Sequence, residues 1–355
     1  MPQVSGNRLQ VGTFTGGGTL SHFVGGPDAE LVGQPSSFDV LTFDEQCRAQ
    51  RLTRYEYRSV IEGRPSFDSL SVLNAARIVD APEEGRTCGG DKATVRPLRP
   101  DGRLALRPPQ PDDADGLLVH LGLVDGIAHV ATCHPAPPGE PVPREERLDS
   151  APFATLREVA VQLPPTEAAL FATALGLANW HVRHPRCPRC GTATEVVQSG
   201  WVRRCSQDGS EHYPRTDPAV IMAVTDDRDR LLLARNVGWP EGRFSVLAGF
   251  LEPGETIAGA VAREVGEETG VEVTDVRFVA DQPWPFPASL MLGCTARATT
   301  TELTCQPDEI AEARWFTRDD FRRELREGYL RAAGRLSISA RLIEGWLGER
   351  LDEVA

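Results

Sequence analysis

The sequence predicts a mixed α/β (α+β) protein of more than one domain, on three observations. At 355 residues the chain exceeds one ordinary domain and suggests two or three. Short apolar runs bounded by Gly, Pro and Asp alternate with stretches of strong helix formers, the pattern of strands interleaved with helices. Hydrophobic residues at 40% and charged residues at 25% are the balance of a soluble globular core and surface.

Residues 1–35, rich in Gly and Ser, read as a tail, and 36–180 as a first folded domain. Within it, 116–133 reads as two strands joined by a turn at Asp125-Gly126, followed by a proline-rich loop from His134. Pro164 to Trp180 reads as a helix, with Pro at its start. No chemistry is legible in this half. Residues 181–215 differ in kind: a Cys187-Pro-Arg-Cys190-Gly turn, a strand-like stretch from Val196 to Cys205, then a polar loop. The last segment, 216–355, opens with a hairpin over Ala219–Asn236 turning near Asp226–Asp229. It continues with a loop–helix–loop at Gly249–Val271, a strand at Val273–Val279, a loop at Asp281–Ser289, a strand at Leu290–Ala298 and a helix at Ser337–Gly348. No repeat is present, and the early glycine run lacks the Gly-Lys-Ser/Thr ending of a phosphate-binding P-loop.

A net charge of −13 argues against broad attraction to nucleic-acid backbone, though not against recognition of one nucleotide or one RNA end. Lys92 is the only lysine, so arginine carries the positive charge. No apolar run is long enough to span a bilayer and the N-terminus lacks a secretory pattern, so a cytoplasmic protein without a membrane partner is expected. Of eight cysteines, Cys187, Cys190 and Cys205 cluster, while Cys47, Cys88, Cys133, Cys294 and Cys305 are scattered. In a cytosolic chain such a cluster points to metal before disulfide.

The chemistry concentrates in Gly249-FLEPG-Glu255-TIAGAVA-Arg263-Glu264-Val265-Gly266-Glu267-Glu268-Thr269-Gly270-Val271. Thr256 can cap a helix that Gly270 ends. Glu264, Glu267 and Glu268 then fall within about a 100° arc of that helix. Three carboxylates so close repel unless a cation lies between them, and hard divalent ions such as Mg²⁺ prefer oxygen ligands. Gly249 and Gly254 are expected to let the preceding loop turn sharply. The competing reading is a solvated acidic face salt-bridged by Arg263. Gly266 is a local oddity, weakening the helix by roughly 1 kcal/mol relative to Ala.

Three clustered thiolates leave one place in a four-coordinate Zn²⁺ site. Asp208 stands where a zinc ribbon would carry its fourth ligand, with His212 and His184 as alternatives. Such a zinc would be structural, since a closed site leaves no room for substrate. The run Gln282-Pro283-Trp284-Pro285-Phe286-Pro287-Ala288-Ser289 is the candidate for specificity: prolines stiffen it, and stiff aromatics bind flat rings at low entropic cost. Its competing reading is a corner of the core.

The segment from Gly249 to Val271 resembles the Nudix box, G-x5-E-x7-R-E-U-x-E-E-x-G-U with U aliphatic, without a mismatch. With the ribbon and the loop, residues from about Trp180 to Trp346 are similar to the NADH pyrophosphatase branch of the Nudix hydrolases, whose members also remove the NAD cap from RNA. Asp281 stands where that branch usually has Ser before the loop. The resemblance implies an α/β/α sandwich preceded by a zinc ribbon and an N-terminal mixed α/β Nudix-like domain. It implies Mg²⁺ or Mn²⁺ held by Glu264, Glu267, Glu268 and Glu309, with Ala248 beside them, and structural Zn²⁺. It implies that Phe250 and Trp284 stack on nicotinamide, that Tyr213 and Ile221 line the same pocket, and that Ala340 and Arg157 contact substrate. One of Glu267 and Glu268, with Glu268 preferred, would orient or deprotonate the attacking water. The implied substrates are NAD(H) and NAD-capped RNA, and the implied assembly is a homodimer. The rivals are a Nudix enzyme for another nucleoside diphosphate such as ADP-ribose, and a non-catalytic nucleotide sensor or nucleic-acid module.

Overall fold

The computed structural model describes residues 70–75, 94–95, 102–106, 116–124, 127–133 and 154–354, all in the unit Asp39–Ala355. The expected tail, the Asp125-Gly126 turn, the proline-rich loop, Cys47, Cys88 and Lys92 lie outside the described residues.

Strands Leu70–Ala75 (β1), Thr94–Val95 (β2), Leu117–Val124 (β3) and Ile127–Cys133 (β4) come first. β3 and β4 pair antiparallel, from Val124 opposite Ile127 to Leu117 opposite Cys133, as their apolar runs predict. β1 joins β4 in parallel. Ala154–Thr155 (β5) pairs with β2 and leads into Leu156–Val159 (α1), where Thr155 and Glu158 form a reciprocal capping box. The helix expected from Pro164 is Pro165–Arg183 (α2), a turn longer than predicted at its C-terminal end. It buries Phe171, Leu175 and Ala178 in one core with Val119, Ala131 and Leu156.

The ribbon corrects one expectation. The stretch Val196–Cys205 is not one strand but a hairpin of Thr194–Val197 (β6) and Val202–Cys205 (β7), joined by Glu211–His212 (β8) in one sheet. Gln198, Ser199 and Gly200 all take positive φ to make the turn. A Cβ on Gly200 would lie 2.9 Å from Val119 Cγ2, so only glycine lets the turn dock on β3. Behind it, Gly200 O is 2.7 Å from His181 Nε2, and Arg203 reaches His181 Nδ1 at 2.9 Å, tying α2 to the ribbon.

The expected hairpin at Ala219–Asn236 opens almost at once. Asp217–Thr225 (β9) and Leu231–Asn236 (β10) share only the Thr225–Leu231 pair, around a turn in which buried Asp226 accepts from the Arg228 and Arg230 amides. Beyond it, Leu247–Phe250 (β11) pairs with β9, and Ser245 bridges to Ala234 of β10. Then come Ile257–Thr269 (α3), Val273–Trp284 (β12), Ser289–Ala298 (β13), Ile310–Phe316 (β14), Arg318–Arg326 (α4), Ile338–Leu347 (α5) and Leu351–Val354 (α6). The sheet runs β12-β13-β9-β10-β14, with β13 parallel to β9. Alternation along β9 serves two cores. Val220, Met222 and Val224 pack with Ala260, Val261 and Val265 of α3. Ile221 and Ala223 pack with Phe321, Ile343 and Leu351 of α4, α5 and α6. The sheet is thus sandwiched between helices.

The expected loop at Asp281–Ser289 is narrower than predicted. β12 continues through Gln282, Pro283 and Trp284, opposite Met291, Leu290 and Ser289, leaving only 285–288 as the turn. Proline is tolerated inside this strand because β12 is at the edge of the sheet and needs no outward amide. The helix predicted at Ser337–Gly348 is α5, with Ser337 as N-cap and Gly348 as a left-handed C-cap at φ 83°.

Candidate active site

The acidic helix α3 begins and ends where its capping residues predict. Thr256 Oγ1 accepts from the Gly259 amide at 3.1 Å, and Gly270 closes the helix at φ 73°. Arg263 organises the box by donating to both Glu255 oxygens, to Glu264 Oε1 at 2.9 Å, to Glu267 Oε2 at 3.0 Å and to the Phe250 carbonyl at 2.9 Å. Its hydrogen bonds hold the Glu255 carboxyl down at about 2. Arg263 therefore secures the preceding loop to the helix.

The role expected of Gly249 needs correction. Gly254 does turn the loop, at φ 88°, but Gly249 lies in β11 and serves another purpose. A Cβ there would stand 1.9 Å from Glu264 Cδ, so the missing side chain is the space the Glu264 carboxylate occupies.

Glu268 is 5% exposed, and its Oε2 is buried without a hydrogen-bond partner. Burial, then repulsion from Glu264, Glu309 and Glu267, pushes its carboxyl up to about 8. Burial also raises Glu264. Glu309 precedes β14 on a turn laced to the helix end by Gln306 N–H to Glu268 O at 3.1 Å. A buried carboxylate oxygen without a donor, facing three further acids, fits a hard divalent cation. The four carboxylates do not form a group as tight as the ribbon ligands, and Arg263 pairs with Glu264 and Glu267.

A cleft of about 630 Å³ includes Ile221, Ala248, Glu268, Trp284 and Arg157 in its lining. The structure thus gathers five expected residues from two segments of the chain, 36–180 and 216–355. Arg157, from α1, lies 4.8 Å from the Trp284 ring centre and 3.9 Å from that of Phe286. Other expected residues stand apart from the lining. Tyr213 is 51% exposed, donating its hydroxyl to Glu211, and Phe250 is 58% exposed. Ala340 is buried in the core beneath the cleft, whereas its neighbours Ile338 and Ser339 line it. Gln282 is 1% exposed and spends its side chain on the main chain, donating to Leu336 O at 2.6 Å and accepting from Ile338 N at 2.8 Å. Phe286 packs on the first core, so part of the loop is the core corner that was its competing reading. Pro283, Pro285, Pro287, Ala288 and Ser289 shape the hairpin end and leave Trp284 as its cleft-lining residue.

Sequence reasoning missed Asn179, whose Nδ2 donates to Pro285 O at 3.0 Å and Pro287 O at 3.4 Å from within α2. It also missed Trp239 and Arg243, which line the cleft. The aromatic–proline step Trp239-Pro240 was the signal available, by the reasoning applied to Trp284.

In the ribbon, ligand atoms of Cys187, Cys190, Cys205 and Asp208 lie within 4.8 Å of one another, the one such group among the described residues. The alternatives are not in that group: His212 Nε2 is 3.1 Å from Ser210 Oγ, which itself hydrogen-bonds Asp208, and His184 Nδ1 is 3.3 Å from Trp180 O. Three thiolates and a carboxylate form a donor set suited to zinc.

The NUDIX domain family matches residues 215–334, and the NADH pyrophosphatase zinc ribbon domain matches residues 183–213. The NAD-capped RNA hydrolase NudC of Mycobacterium bovis is 41% identical over 310 residues, covering 84% of this chain and 91% of that one. This chain belongs to the Nudix hydrolases. Among Nudix hydrolases, the human NAD-capped RNA hydrolase NUDT12 is 43% identical over 199 residues, 53% of this chain, and the chain spans 43% of that relative's length. A solved NUDIX hydrolase from Nitrosomonas europaea is 20% identical, covering 46% of this chain and 94% of that one with a TM-score of 0.38.

Proposed function

We propose that this Nudix hydrolase cleaves the central diphosphate of NAD(H) to NMN(H) and AMP, and removes NAD from capped RNA 5′ ends, leaving a 5′-monophosphate. The observation that carries this reading is the buried Glu268 carboxylate, whose Oε2 has no hydrogen-bond partner, in a cleft lined also by the Arg157–Trp284 stack. The names of the mycobacterial and human relatives support the substrate.

Glu264, Glu267, Glu268 and Glu309, beside the Ala248 backbone, would hold Mg²⁺ or Mn²⁺. When bound, such an ion neutralises diphosphate oxygens and lowers the pKa of a coordinated water. Glu268 then accepts the proton of the attacking water, whose oxygen bonds to phosphorus as the bridging P–O bond breaks. Gly249 and Arg263 hold Glu264 in line, and Trp284 seats the nicotinamide ring. Gln282 fixes the hairpin to α5. Cys187, Cys190, Cys205 and Asp208 would hold a structural Zn²⁺.

The same reading places the protein in the cytoplasm, in keeping with its clustered thiols. It also makes the protein a homodimer, in which a second subunit brings exposed Tyr213 and Phe250 to the substrate. Light scattering giving a monomer mass would remove the dimer. Among the described residues, no helix is long and apolar enough to cross a membrane.

The test is a substrate panel with Mg²⁺ and with Mn²⁺: NADH, NAD⁺, ADP-ribose and NAD-capped RNA, with products identified by mass. AMP and NMN(H) from NAD(H), and 5′-monophosphate RNA from capped RNA, are expected. Preference for ADP-ribose transfers the site to another nucleoside diphosphate, and binding without product makes it a sensor.

A further inference from the structure

The cleft contains a second arginine–tryptophan stack that the proposed chemistry does not use. Arg243 lies 4.5 Å from the centre of the Trp239 ring, and both line the cleft that holds Glu268 and Trp284. Trp239 comes from the loop after β10, and Arg243 from the segment leading into β11. Arg243 is exposed, and no carboxylate or hydrogen-bond acceptor among the described residues takes its guanidinium. Arg157, by contrast, stacks on Trp284 and Phe286.

An unspent guanidinium braced on an indole is a site for a flat ring carrying an adjacent phosphate. Position selects which phosphate. Arg243 is separated from Ala248 by an extended segment that can span ~16 Å at ~3.3 Å per residue. Trp239 and Arg243 share the cleft with Ala248, Glu268 and Trp284, so with the diphosphate at Ala248 and Glu268 they are left to take a nucleoside. Resting on the proposed activity, with nicotinamide at Trp284, the ring left for Trp239 is adenine. The anion left for Arg243 is the phosphodiester on the adenosine 3′-oxygen, which capped RNA has and free NAD(H) lacks.

We propose that Trp239 and Arg243 form a subsite for the first transcribed nucleotide, in which Trp239 stacks on adenine and Arg243 binds the 3′-phosphodiester, favouring capped RNA over free dinucleotide.

The experiment measures kcat/KM on NADH and on a short NAD-capped oligonucleotide for wild type, Arg243→Gln, Arg243→Lys and Trp239→Ala, with thermal melts to confirm folding. Arg243→Gln is expected to lower the capped-to-free ratio by roughly tenfold, the scale of one charge-assisted hydrogen bond. Arg243→Lys should restore part of that ratio, and the wild-type preference should weaken with salt more than that of Arg243→Gln. Trp239→Ala should impair both substrates, since both contain adenosine. An unchanged ratio in folded Arg243→Gln overturns the subsite while leaving the activity standing. A wild type inactive on both substrates overturns the activity and the subsite together.

Discussion

Glu268 and Gly249 show how single residues set the chemistry of the box. Glu268 is buried enough to hold its proton to about pH 8, against an ordinary value of 4.5. A carboxyl raised in this way contributes stability that is complete below about 4.5 and lost as pH rises toward about 8. Chelator-treated protein should therefore lose thermal stability across that window. Added Mg²⁺ should restore it, and Glu268→Gln should flatten the dependence; melting curves against pH check all three. The same variant should keep the fold and lose at least ~100-fold in turnover, the scale of lost acid–base help. Near-normal turnover would remove Glu268 from its role. At Gly249 the atom in the way of a new Cβ is the end of a flexible side chain, so Gly249→Ala should displace Glu264 and spare the fold. Activity should fall by about 100-fold with little change in melting temperature, and a loss of cooperative unfolding instead would make Gly249 a packing residue.

At the scale of elements, the β12–β13 hairpin depends on helices on either side of it. Gln282 ties it to α5, and Asn179 of α2 holds the carbonyls of its turn. Asn179→Ala removes a buried donor from two main-chain acceptors and frees the turn behind Trp284. The expected result is a several-fold rise in KM for NADH with a smaller change in kcat, measured by initial rates. An unchanged KM would mean that the prolines alone keep the turn in place. The helices were largely legible because caps are local: Thr256, Gly270, Ser337 and Gly348 each act within one turn. The β9–β10 turn was legible, but how soon its strands part was not, because their other partners are remote. A turn at Asp226 specifies that the chain reverses, not which strands it then joins.

Over the whole molecule, the ribbon and α2 connect the N-terminal half to the catalytic sandwich. Gly200 seats the ribbon turn on β3, and His181 and Arg203 lock it to α2, which in turn carries Asn179. Metal in the ribbon should therefore matter to activity at a distance. Elemental analysis is expected to give one zinc per chain. Asp208→Ala should weaken retention of that zinc, and Asp208→Cys should keep it. Full zinc content in Asp208→Ala would exclude the carboxylate as fourth ligand.

By itself the sequence determined the acidic helix, its caps, the cysteine cluster and the aromatic–proline run, since each is a short-range pattern with its own physical reason. The spacing of Glu264, Glu267 and Glu268 is a property of one helix and needs no fold to be read. Tertiary structure alone decided what those groups face. It placed Arg157 on Trp284, set Glu264 in the space left by Gly249, and brought Asp208, rather than either histidine, to the thiolates. It also turned Gln282 inward and put Trp239 and Arg243 on the cleft wall. These contacts join residues far apart in the chain, and their energies depend on burial and packing that no local pattern encodes.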